Sequence, residues 1–200
     1  MKKIISVLVM TIFLAALNRA EAQYEALEKY IEDIVKKELV VFAKNPIIIN
    51  AVRGANGGPE KTRDEIAALE KRWIEAGDMD AWIGSFLTNP CAAYLKDIQE
   101  KSVIGDRPLY AEIFVMDDQG FIVAETSKTT DYWQGDEDKF IKAFDGGKGA
   151  LFIGEPMFDE STIKYSVQVS VPVFDPRTKR AIGAITFGID LDAMAGRISS

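Results

Sequence analysis

Three short segments carry side chains that could do chemistry: Arg72-Trp73, Asp131-Tyr132-Trp133-Gln134, and the run from Asp159 through Ser161 and Tyr165 to Gln168. Carboxylates beside aromatic faces suit an amine, because the ring quadrupole attracts a cation. A guanidinium such as Arg72, or the ammonium of Lys139, suits a carboxylate, Arg in bidentate fashion. Both sets together would suit an amino acid. An aromatic wall with a few convergent polar groups is the usual lining of a small-ligand pocket. The same residues also have a purely structural reading: an aromatic pair at a turn packs as a plug, and a polar strand face looks to solvent.

Composition removes most of the competing chemistry. The chain has no histidine and one cysteine, Cys91. That excludes Ser-His-Asp and Cys-His nucleophiles, the commonest zinc ligand and a thiolate cluster. Asp136-Glu137-Asp138 and Asp159-Glu160 are the acidic clusters considered for a carboxylate hydrolase. Adjacent acids at a helix start are better explained by the helix dipole. The expectation is therefore a protein that is not an enzyme and needs neither metal nor cofactor. Cys91 has no partner for an internal disulfide and, in NPCAAYL, is expected to be buried as a small hydrophobe. The net charge is −7, which disfavours nucleic acid and anionic membrane surfaces as partners.

Lys2 and Lys3, the apolar run Ile4 to Leu17 and Ala20-Glu21-Ala22 read as a secretory signal peptide cut after Ala22. The run is too short for the roughly 20 residues of a bilayer span, although an uncleaved anchor is the rival reading. Residues 23–200 then form one exported, periplasmic domain, with a mainly helical part over 23–104 and a sheet core over 105–200.

The elements that must position the candidate residues follow from periodicity. Leu27, Tyr30, Ile31, Ile34, Val35, Val41 and Phe42 mark a long amphipathic helix over 23–44. A short helix follows Pro46, then a Gly/Pro loop over 54–62. Thr62 with Glu65 is a capping box. A third helical region runs from Asp80 to Glu100 and breaks near Asn89-Pro90. After Gly105 the period changes to two. The strands predicted are 110–117, 121–126, 150–156, 163–174 and 181–190, with a helix over 136–144 and a short C-terminal helix. Ile113 and Val115 fall on one face and Phe114 and Met116 on the other; Tyr165, Val167, Val169, Val171 and Val173 oppose Ser166, Gln168 and Ser170. Helices first and an antiparallel sheet second make the fold α+β.

On these motifs the sequence resembles a known family. YAEIFVMDDQGFIVAETSKTTDYWQGDEDKF, then FDEST, VQVSVPVFD and AIGAITFGID, are similar in order to the extracytoplasmic Cache sensor domains, also called PAS-like or PDC sensor folds, and most of all to a single-Cache group. The resemblance covers Tyr110 to Asp190. It implies a long N-terminal helix packed on a central antiparallel sheet of five to six strands. It also implies a small extracytoplasmic ligand, an amino acid, organic acid or amine, held between the sheet and the segment with Tyr132 and Trp133. Family members serve chemotaxis and signal transduction. The given sequence ends at Ser200 with no transmitter, so the expectation is a stand-alone form signalling through a separate membrane receptor or histidine kinase, with a homodimer through the N-terminal helix as a further option. The residues implied for the ligand are Arg72, Trp73, Asp131, Tyr132, Trp133, Gln134, Asp159, Ser161, Tyr165 and Gln168. The alternative function is an exported protein–protein interaction module with no small ligand.

Overall fold

The computed structural model describes residues 29–77, 79–159 and 164–198. The chain divides into two compact units, Met1–Leu39 and Val40–Ser200. In the first, residues 29–34 form helix α1, followed by a π-helical stretch, Val35–Leu39. Ile31, Ile34, Val35 and Leu39 are its buried stripe. Its exposed side carries Lys36–Glu32 and Lys37–Asp33 pairs at 3.0 and 3.1 Å, each one turn apart and worth a few tenths of a kcal/mol. The regular 3.6-residue period read from the sequence does not anticipate the π stretch. The leader and its cleavage point lie outside the described residues.

The second unit opens with α2 (Val40–Ala43), α3 (Pro46–Ala55), α4 (Arg63–Glu75), α5 (Ala81–Thr88) and α6 (Pro90–Lys101). Local chemistry sets these boundaries. Pro46 and Pro90 occupy first-turn positions, where a missing N–H costs nothing. Thr62 and Glu65 form the expected capping box. Asn89 ends α5 and caps α6, its Oδ1 accepting from the Ala92 N–H at 2.9 Å. Cys91 is buried in α6, and burial pushes its thiol up to about 12, so it stays a neutral apolar group.

The main sheet is antiparallel throughout. It contains β3 (Tyr110–Met116), β4 (Ile122–Glu125), β5 (Phe152–Ile153), β6 (Met157–Asp159), β7 (Lys164–Phe174) and β8 (Ala181–Asp190). Its order is β4-β3-β8-β7-β5, with β6 also pairing β7. A small hairpin, β1 (Val103–Ile104) with β2 (Arg107–Pro108), precedes it. This hairpin and β6 were not predicted, since runs of two or three residues are too short to show a period. Pro172 is tolerated in β7 because β5 pairs only as far as Ser170. Helix α7 (Asp138–Phe144) crosses one face; helix α8 (Leu191–Ile198) follows β8.

The two faces of the sheet differ in chemistry. One carries Ile113, Val115, Val167, Val169, Val171, Val173, Ile185, Phe187 and Ile189, all buried. Each such side chain contributes about 1.5–3 kcal/mol of burial. The Phe42 ring of α2 meets Tyr110 edge-on at 6.5 Å on this side. The other face has an apolar half where α7 lands, with Phe140 and Ala143 against Phe114, Met116, Ile122 and Ala184, and a polar half described below.

The β3–β4 hairpin turns on Asp117, whose Oδ1 accepts from the Gln119 and Phe121 N–H groups, both at 2.9 Å. Gly120 closes the turn at φ +87°, and a Cβ there would lie 2.5 Å from Gly135 Cα. Gly120→Ala therefore combines a left-handed backbone penalty with a clash against backbone that has no rotamer to change. The expected loss is at least about 2 kcal/mol, read as a lower midpoint in denaturant at unchanged slope; an unaltered midpoint would contradict this turn.

Candidate functional site

The segment after β4 does not lie over the sheet, where the sequence reading put it. It runs beside β4 and extends the sheet edge. The Ile122 N–H donates to the Tyr132 carbonyl at 3.0 Å and the Gln134 N–H to the Gly120 carbonyl at 2.8 Å, and Phe121 and Trp133 form a bridge. The edge strand would otherwise leave a row of unpaired N–H and C=O groups, and this pairing satisfies them.

Strand-like pairing sends alternate side chains to opposite sides. Tyr132 enters a cluster with Trp73, Trp82, Phe86 and Phe121, at centroid distances of 5.1, 5.1, 5.2 and 5.3 Å. Burial, then the charges of Asp117 and Glu70, push its phenol up to about 12. Trp133 turns the other way: its indole N–H donates to the Gln119 carbonyl at 2.8 Å, and its ring lies against Gly135. The Trp133 N–H donates to the Glu70 carboxylate. Trp73 is fully buried and donates from Nε1 to the Thr129 carbonyl at 2.8 Å. Lys128 reaches the Ala76 carbonyl at 2.9 Å. Three contacts thus fasten α4 and its end to the 128–133 segment.

The polar half of the sheet lies next to this segment. Ser166, Ser170 and Thr186 are fully buried, and Glu125, Asp190 and Glu112 are 0, 1 and 5 % exposed. The register puts them on one face: Phe114 opposes Glu125 and Thr186, Gly188 opposes Glu112 and Gln168, and Ser166 opposes Asp190. Gly188 leaves room for Glu112 to cross β8, since a Cβ there would stand 2.7 Å from Glu112 Cγ. Gln168 Nε2 donates to Glu112 Oε1 at 3.0 Å, and the Ser170 and Thr186 hydroxyls bond each other at 2.8 Å. Glu125 Oε2 accepts from both the N–H and the hydroxyl of Thr129, at 3.1 and 3.0 Å. Its other oxygen, Oε1, and the Ser166 hydroxyl are buried without a partner. Burial pushes the Glu125 carboxyl up to about 7; Thr129 pulls it down, and the nearby Glu112 charge adds to the rise.

The residues named from sequence separate into groups. Trp73 and Tyr132 stack on each other. Asp131 and Gln134 stay local: the Gln134 side-chain amide donates to the Asp131 carbonyl at 2.7 Å, leaving its buried Oε1 without a partner. Gln168 stands on the polar face. Tyr165 is on the opposite face, 62 % exposed, one residue out of step with Gln168 in the strand alternation. Arg72 is exposed, its guanidinium 4.1 Å from the centre of the Trp82 ring. Asp159 enters through β6, paired with Lys164, and Ser161 lies outside the described residues. Glu112, Glu125, Thr186 and Asp190 were missed. The available signal was an acid inside each of two otherwise apolar strands, YAEIFVM and IVAE.

A cleft of about 330 Å³ opens beyond Tyr132, lined in part by Lys61, Leu69, Phe86, Asp117 and Gln119. Among the described residues no group of histidine, cysteine or acidic side chains has the arrangement of a metal site, and no helix is long and apolar enough to cross a membrane.

No family model and no curated protein matches the chain. Solved structures do. The sensor domain of the Vibrio cholerae histidine kinase DctB is 14 % identical over 92 % of this chain and 60 % of that one, at a TM-score of 0.48. The Escherichia coli DcuS sensor domain is 14 % identical over 68 % of this chain and 94 % of its own, at 0.39. The ligand-binding domain of the Pseudomonas aeruginosa PAO1 amino-acid chemoreceptor PctC, in complex with GABA, is 13 % identical over 80 % of this chain and 65 % of that one, at 0.38. The chain spans about three fifths of the DctB domain.

Proposed function

We propose that this protein is a periplasmic sensor domain of the single-Cache kind. It binds a small organic molecule, an amino acid, organic acid or amine, and passes occupancy to a separate membrane receptor or histidine kinase. The work is binding, not turnover. The leader ending at Ala22 supports export. The observation that carries the reading is the polar half-face of the sheet. A folded sheet rarely buries this many polar side chains beside partnerless atoms, because each such atom costs about 1–3 kcal/mol. Glu125 Oε1 and Ser166 Oγ are two of them, and a ligand would supply their bonds.

On this reading Glu112, Glu125, Ser166 and Gln168 are the floor. The 129–134 segment, with Asp131, Tyr132, Trp133 and Gln134, is the wall that responds. Glu125 is the joint between them, since it holds Thr129, whose carbonyl holds Trp73 of α4. Asp159 and Ser161 are further polar contacts that the sequence motif supplies to the ligand. Arg72, on Trp82, stiffens α4 against α5.

The experiment is a thermal-shift screen of the purified protein against amino acids, small carboxylates, amines and purines. Native mass spectrometry first verifies that the protein is ligand-free. A ligand at about 100 times its Kd adds roughly 2.7 kcal/mol, several degrees in Tm. The expected result is a shift confined to one chemical class and lost in Gln168→Leu. No shift across the panel would move the assignment to an interaction module without a small ligand.

A further inference from the structure

We propose that the cleft beyond Tyr132 is a second small-molecule site, separate from the polar half-face, and that it takes a compact aromatic amine with its ammonium on Asp117. It shares Tyr132 with the site above and none of its acids.

The cleft is built from segments that are tied to one another. The β3–β4 turn holds the Gly/Pro loop that precedes α4. Gln119 Oε1 accepts from the Lys61 N–H at 2.9 Å, and Asn56 Oδ1 accepts from the Asp118 N–H at 3.1 Å. Asn56 also donates to the Ile182 carbonyl at 2.7 Å. Leu69 of α4, Phe86 of α5, Phe121 and Tyr132 supply the apolar lining. The volume, about 330 Å³, is at the small end for a ligand pocket and suits one ring with a short chain.

Asp117 is the only acid in this lining and Lys61 the only base. Asp117 is 8 % exposed. Its Oδ1 takes both N–H bonds of the turn, and among the described residues no lysine or arginine pairs with it. Lys61 has a carboxylate nearby: Glu65 is held low by its capping bonds with Thr62 and, to a lesser degree, by the Lys61 charge. Beyond its burial, the charges of Asp117 and Glu70 act on the Tyr132 phenol, so negative potential gathers at this end of the cleft. An anion placed there would be repelled. An apolar molecule would cover the Asp117 carboxylate and offer it no donor, which is costly. An ammonium supplies both donor and charge, and the faces of Tyr132, Phe86 and Phe121 favour a cation with an aromatic body.

The test is calorimetric titration of the purified protein with benzylamine and phenethylamine, and with benzyl alcohol and phenylacetate for comparison. The expected result is amine binding that is about tenfold or more tighter than that of the alcohol or the acid, and weakened to the same degree by Asp117→Asn, as loss of a charged hydrogen bond requires. Leu69→Trp, which fills the cleft, should abolish it. Asp117→Asn keeps a side-chain oxygen for the Gln119 and Phe121 N–H groups, and the Tm of each variant verifies its folding. Phenylacetate binding lost in Lys61→Gln, with no amine bound, would overturn the amine. Amine binding indifferent to Asp117→Asn and Leu69→Trp would overturn the cleft as its seat, and its loss in Gln168→Leu would then assign it to the polar half-face. Binding of none of the four probes would overturn the cleft as a site, with no bearing on the polar half-face.

Discussion

Trp73→Ala is expected to lower Tm by roughly 10–15 °C, the largest effect of any single change considered. Truncating a buried aromatic costs about 3–5 kcal/mol through lost transfer energy and the cavity left behind, and each kcal/mol moves Tm by about 2–4 °C in a domain of this size. Trp73 has no exposed surface. It stacks on Tyr132 at 5.1 Å and meets Trp82 and Phe86 edge-on at 5.7 and 5.6 Å. Its N–H also holds the Thr129 carbonyl. Trp73→Phe keeps much of the ring contact and loses only that bond, so about 1–2 kcal/mol is expected. Thermal and urea unfolding followed by circular dichroism separate the two. An alanine variant within about 1 kcal/mol of the parent would mean that the aromatic cluster does not hold α4 to the 129–134 segment. A near-UV signal from the three tryptophans that survives the substitution unchanged would mean the same.

The second large effect is a stability that falls as pH rises. Glu125 and Asp117 are pushed up to about 7 and about 6, in both cases chiefly by burial. In the unfolded chain both titrate near their ordinary values of about 4. Between those limits the folded protein keeps protons that the unfolded chain has released. Stability must therefore decline from about pH 4.5 up to about pH 7. Glu125 alone contributes roughly 3 kcal/mol to that decline. The carboxylates held low, Glu65 by its capping box and Asp175 by the Arg177 N–H and by Arg53, act in the opposite sense. They do so only below the ordinary carboxylate range, outside this window. The ligand-free protein should melt several degrees higher at pH 5 than at pH 8, and Glu125→Gln should remove about half of the difference. A Tm that climbs from pH 5 to pH 8 would show that Glu125 and Asp117 are solvated rather than buried.

Much of the architecture was legible because it rests on local rules. Thr62 and Glu65 start α4, Asn89-Pro90 splits α5 from α6, and the valines of β7 alternate with Ser166, Gln168 and Ser170. Each is set by neighbours within four residues, through a cap, a missing N–H or the two-residue period of a strand. The aromatic weight of Asp131-Tyr132-Trp133-Gln134 was legible for the same reason, since a turn seldom carries such side chains without burying them.

The site itself was not. Alternation gives β7 a polar side but cannot say whether water or protein covers it; here Ser166 and Ser170 have no exposed surface. Nor can it see a bulge. Tyr110 and Glu112 are two residues apart and should share a face. The register shift between them lets Tyr110 pack on Phe187 at 5.3 Å while Glu112 reaches Gln168 on the other side. The 129–134 segment pairs along the β4 edge instead of closing over the sheet because its backbone N–H and C=O groups find partners there. That pairing carries Tyr132 into the aromatic cluster of α4 and α5. The sequence by itself determined the class of fold, the helix ends, the strand faces and the exclusion of histidine and thiolate chemistry, all consequences of composition and short-range spacing. Only the tertiary structure decided that Glu112 and Glu125 meet beside Phe114, because the acids come from separate strands and the burial that pushes the Glu125 carboxyl up belongs to the assembled sheet.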